Sequence, residues 1–127
     1  MNKQELELFY PKNKQHWREW LFNNHHRKDA VWLVFYKKQS DRKTISWSDA
    51  VDEALCFGWI DSKVESIDKE SYKQYFCQRK PNSTWSKINK EKIEKLTSTN
   101  QMTKAGFKAV ERAKQNGSWT ILDQVEA

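Results

Sequence analysis

The chain is poor in the residues that break regular structure: three glycines and two prolines in 127 residues. That scarcity excludes a loop-dominated or disordered chain, and it leaves no glycine-rich loop to cradle phosphates. Cysteine is equally sparse. Cys56 and Cys77 are the two thiols, in neither a CxxC nor a metal-ligand spacing, so neither a disulfide framework nor a zinc site is expected. No apolar run approaches the ~20 residues that a membrane helix needs, and Met1-Asn2-Lys3-Gln4-Glu5 lacks the apolar centre of a signal peptide. The expectation is a cytoplasmic protein with reduced thiols, no membrane span and no cofactor.

Aromatic side chains are abundant instead. The hydrophobic fraction is 37%, and seven Trp, six Phe and four Tyr carry much of it. Each buried aromatic removes roughly 150–250 Å² from water, so a few large rings fill a core that aliphatic residues leave thin. The formal net charge is +6 and the pI about 9.3, a bias toward anionic partners. The basic residues are spread along the chain with acids interleaved, which fits a solvated surface better than a dedicated nucleic-acid face.

Hydrophobic spacing sets out the elements. Asn13 caps a helix in which Trp17, Trp20 and Leu21 share a buried face, and Asn23-Asn24 ends it. The run from Ala30 to Tyr36 is β-branched and aromatic on both faces, as in a covered or central strand. Ser46, with Asp49 three residues on, caps a second helix with Trp47, Ala50, Val51, Ala54 and Leu55 at helical spacing; Gly58 stops it. Trp59 to Glu65 and Tyr72 to Cys77 then form an antiparallel hairpin around Asp68-Lys69-Glu70. Arg79-Lys80-Pro81-Asn82 ends the sheet. A third helix, capped within Ser83 to Ser86, carries Ile88, Ile93 and Leu96. A fourth, capped by Thr103, turns Phe107, Val110 and Ala113 inward and closes at Asn116-Gly117. The predicted architecture is a single α+β domain: a small three-stranded, mostly antiparallel sheet packed with about four helices.

Several stretches form a recognisable pattern. They are Trp17 with Trp20-Leu21 and Asn24-His25, Val31-Trp32-Leu33 with Phe35 and Lys37-Lys38, the run Glu53 to Ser62, and Arg79-Lys80-Pro81 with Ser83, Trp85-Ser86 and Asn89. In order and over nearly the whole chain, these resemble the bacterial YdeI/OmpD-associated family, also called bacteriocin-protection proteins. The resemblance implies a stress protein concerned with tolerance of bacteriocins or cationic antimicrobial peptides, and association with an outer-membrane porin. It carries no established catalytic residue.

The residues themselves point to one place. Cys56 falls near the C-terminal end of its helix, where the dipole does not favour a thiolate, so it reads as a small buried hydrophobe rather than as a nucleophile paired with His25 or His26. Cys77, on a strand, reads as packing. His25 and His26 are adjacent and cannot face one way on regular structure, which disfavours a metal pair. Asp61 and Arg79 stand at strand ends of the hairpin, so the carboxylate and guanidinium are expected to meet, as an ion pair or as a ligand anchor. Trp59 and Trp85 would wall the same end, with Tyr72 and Tyr75 bordering it. The expected site is therefore Trp59, Asp61, Arg79, Trp85 and Tyr72, taking a small molecule or peptide. The rival expectations are a nucleic-acid-binding module using basic and aromatic residues, and a thiol enzyme using Cys56.

Overall fold

The computed structural model describes residues 6–123 and 125. The elements run β1 (Leu8–Phe9), α1 (Lys14–Asn24), β2 (Ala30–Tyr36), α2 (Trp47–Cys56), β3 (Trp59–Ser66), β4 (Ser71–Gln78), α3 (Lys87–Ser98) and α4 (Lys104–Asn116), with a short 3-10 turn at Ser118–Thr120. Among the described residues no helix is long and apolar enough to cross a membrane.

Among the described residues the sheet has four strands in the order β1-β2-β4-β3, which corrects the three expected from the sequence. β1 is only two residues long and pairs in parallel with Trp32 and Leu33. Two residues display no alternation, so the periodicity that reveals a strand is absent there. β4 pairs antiparallel with both β2 and β3.

Alternation assigns the two faces of the sheet. Val31, Leu33 and Phe35 of β2 and Phe76 of β4 are all but inaccessible and belong to one core with Trp17, Leu21, Val51 and Leu55. The Trp17 indole donates to the Ala50 carbonyl at 3.0 Å, so α1 is fastened to α2 by a hydrogen bond as well as by packing. The opposite face carries Trp32 and Tyr75, edge to face at 5.3 Å, with the Lys63 and Lys73 ammonium groups over their rings.

Each helix begins with a capping side chain: Asn13, Ser46, Ser86 and Thr103 accept a backbone N–H three residues on. α4 packs differently from its apolar spacing. Phe107 is 43% exposed, and the buried stripe is Gly106, Ala109, Val110 and Ala113. The reason is steric: a Cβ on Gly106 would lie 2.4 Å from the Cys56 carbonyl oxygen, so α4 meets the end of α2 backbone to backbone, where no ring would fit. Ile88 of α3 is likewise turned out to solvent.

Candidate functional site

The joint between α2 and β3 positions the site. Gly58 adopts φ +76°, a left-handed conformation that lets the chain pass from the end of α2 at Cys56 to the start of β3 at Trp59 within two residues. A Cβ there would also meet the Ala105 carbonyl at 3.0 Å and the Ala109 Cβ at 3.2 Å, so glycine is required twice. Thr103 closes the joint from the other side: its hydroxyl and its backbone N–H both donate to the Cys56 carbonyl, at 2.6 and 3.0 Å.

Cys56 itself has no solvent access. Burial, with the Glu53 carboxylate nearby, pushes its thiol up to about 11, so it is protonated at neutral pH and offers no nucleophile. Glu53 is 2% exposed and is held by Arg18 at 2.9 Å and Lys14 at 3.5 Å. This buried ion pair escapes sequence reading, because Glu53 lies on the same helix as its hydrophobic neighbours and its partners lie on α1.

Asp61 and Arg79 form no ion pair. Asp61 lies opposite Phe76, whereas Arg79 falls one residue beyond the end of β4, so the ladder does not set the two side chains against each other. The Asp61 Oδ2 accepts instead from the Trp47 indole and from the Gln74 amide, each at 3.0 Å. Arg79 is 6% exposed. Its guanidinium stacks on Trp85 at 3.5 Å, and Nη2 donates to the Thr84 carbonyl at 2.7 Å. Nε and Nη1 are buried with no partner. Burial lowers this side chain to about 10, with Asp61 acting weakly in the opposite sense, so it remains a cation at neutral pH. A buried cation with two unused donors is costly unless an anion supplies the acceptors.

Two clefts flank Arg79. The first, of about 510 Å³, is lined by Asp61 and Ser62 of β3, Arg79, Ser83 and Thr84 of the following link, and Asn89 in the first turn of α3. Asp61 and Arg79 thus share a cleft without touching. The second, of about 330 Å³, opens between the end of α1, the α2–β3 joint and α4; Trp59, His25, His26, Lys108 and Arg112 line it with Arg79. Trp59 therefore belongs to this second cleft, its indole edge to face on Trp20 at 5.7 Å. Trp85 serves as the platform under Arg79. Tyr72 lies at the other end of β4, stacked on Phe35 at 5.3 Å, away from both clefts. A wider hollow of about 610 Å³ between α3 and Trp119 contains none of the expected site residues.

Sequence reasoning missed Lys108 and Arg112 as site residues. Their i, i+4 spacing puts them on one helical face, but only the docking of α4 on Gly58 brings that face to the end of β4.

A family model described as a domain of unknown function, DUF8412, matches residues 9–109. The chain belongs to this family. The matched span runs from β1 into α4, so the DUF8412 region includes Asp61, Arg79, Trp85 and Lys108 and stops before Arg112. Comparison with curated proteins and with solved structures finds no match.

Proposed function

We propose that the chain is a ligand-binding protein rather than an enzyme, taking a small molecule or peptide with an acidic group at the cleft shared by Asp61 and Arg79. We further propose that it acts in the bacterial cytoplasm in tolerance of bacteriocins or antimicrobial peptides, as the YdeI/OmpD-associated resemblance implies. One observation carries the binding reading. Two of the stretches that bear the resemblance line one cleft: Asp61 and Ser62 from the Glu53 to Ser62 run, and Arg79, Ser83, Ser86 and Asn89 from the last. The unpartnered donors of Arg79 supply the reason a ligand would be held there.

A thermal-shift screen of small acids and short peptides tests this, with Asp61→Ala and Arg79→Met as controls. The expected result is a stabilising ligand whose effect is lost in both variants. Arg79→Met without ligand should melt close to the parent, because the loss of the Trp85 stack and the Thr84 bond is offset by removing a buried charge with two unused donors. A ligand whose stabilisation survives both substitutions removes this cleft from consideration.

A second reading rests on the other face of the sheet. Tyr75, half-buried against the buried Trp32, is set among the Lys63 and Lys73 ammonium groups, and an accessible ring among cations is the combination that stacks single-stranded bases and neutralises phosphates. A gel shift across a salt series decides it. Binding that weakens steeply with salt and falls with Tyr75→Ala supports a nucleic-acid module, and no shift at low salt ends that reading.

A further inference from the structure

The second cleft is lined by His25, His26, Arg79, Lys108 and Arg112, and no carboxylate is among its lining residues. On a surface that interleaves acids with bases, such a one-sided set is unusual. Its walls are also tied together before any ligand arrives. The Arg79 backbone N–H donates to the Gly58 carbonyl at 3.0 Å, and the Arg79 carbonyl accepts from Arg112 Nη2 at 3.0 Å. Gln78 Nε2, at the end of β4, donates to the His25 carbonyl at 3.0 Å and to the Lys28 carbonyl at 3.1 Å, holding the α1–β2 link against the sheet. Donors thus converge from α1, β4 and α4 on a preorganised hollow.

A second, independent observation points the same way. Two residues lining this cleft carry buried N–H groups without acceptors: the Trp59 indole, on a residue 1% exposed, and Nε and Nη1 of Arg79. Buried donors are almost always satisfied in folded proteins, and three unpaired beside one basic hollow call for an acceptor that the described residues do not provide.

We propose that this cleft is a phosphoryl-binding site, taking inorganic phosphate or the terminal phosphoryl group of a small phosphate monoester. A phosphoryl dianion has three acceptor oxygens and two charges, which match two guanidinium groups and an ammonium better than a single carboxylate does. The hollow of about 330 Å³ has room for the phosphoryl group with a short organic remainder. His25 is held below its ordinary value of 6.5 by burial and by His26, so it is largely neutral at neutral pH, and a bound dianion would draw a proton onto it. This site adjoins the Asp61 cleft and shares Arg79 with it, whereas Lys108 and Arg112 line this cleft and not the other.

The test is titration of the full chain with inorganic phosphate, and separately with glycerol phosphate, against chloride at matched ionic strength and against acetate. It is followed by NMR of the Trp59 indole N–H and the histidine rings. Saturable movement of the Trp59 resonance with phosphate and not with acetate is expected, together with a rise in the His25 titration point. Lys108→Glu, an exposed substitution on α4, should weaken binding by about tenfold or more. Asp61→Asn, outside this cleft, should leave phosphate binding in place, and Lys108→Glu should leave a ligand of the Asp61 cleft bound, so the two sites are told apart although both use Arg79. Tighter binding of glycerol phosphate than of inorganic phosphate assigns the site to an ester, and the reverse order to the free ion. Acetate that binds as well as phosphate, Lys108→Glu that binds like the parent, or a single-stranded oligonucleotide that moves these resonances when phosphate does not would each overturn the proposal.

Discussion

The Cys56 thiol gives the chain a pH signature that can be read without knowing any ligand. Its folded value of about 11 lies above the ordinary 9.0, because burial beside Glu53 penalises the thiolate. Below pH 9 both folded and unfolded chains hold the proton and nothing is lost. Between about 9 and 11 the unfolded chain releases it first, so stability falls as pH rises, by roughly 2–3 kcal/mol once both values are passed. Cys77 is also raised by burial and adds a slope of the same sign, whereas Arg79, lowered to about 10, opposes it above that pH. Urea melts from pH 8 to 10 should therefore show a decline that Cys56→Ala makes shallower. An equal slope in parent and variant would remove Cys56 as the source. The same burial predicts that iodoacetamide labels Cys56 only when the chain unfolds. At this scale the sequence was informative: a free cysteine at a helix C-terminus reads as packing from its position alone. Asp61 and Arg79 were legible as important residues and illegible as partners, since their separation depends on a register offset that composition does not carry.

Among the secondary-structure elements, α4 shows most clearly what local pattern leaves out. Its apolar residues suggest Phe107 facing inward, yet the face that docks is the one with Gly106 and Ala109, because the neighbour is the backbone of Cys56 and Gly58 rather than a bed of side chains. Periodicity counts hydrophobic residues, and a glycine seam is invisible to it. The two last glycines separate the steric from the conformational cost. Gly106→Ala puts a methyl group 2.4 Å from the Cys56 carbonyl oxygen, whereas a Cβ on Gly117 meets nothing within 4 Å and suffers only from φ +85°. Chemical denaturation should show Gly106→Ala destabilised by about 3 kcal/mol or more and Gly117→Ala by about 1 kcal/mol. The opposite order would mean that α4 has room to shift. The helices, β2 and the β3–β4 hairpin were readable because each has caps and a period of its own. β1 was not, because it exists only through pairing with β2.

On the scale of the whole molecule, the fold gathers basic side chains at one end without any basic run in the sequence. His25 and His26 come from the end of α1, Arg79 from the end of β4, and Lys108 and Arg112 from the second half of the chain. Apart from the buried Arg79, none stands out in its own segment; only the sheet order and the docking of α4 collect them. A net charge of +6 spread along the chain gave no hint of this focus. The sheet order has a further consequence, for synthesis. β2 finds its antiparallel neighbour in β4, where Trp32 faces Tyr75 in the ladder, and β3 pairs only with that same strand. While the chain is being made, β2 can lay its apolar face on α1 and α2, but its hydrogen-bonding edge stays unpaired until β4 has cleared the ribosome. An open strand edge is a template for pairing with another chain, and the sheet closes in a late step.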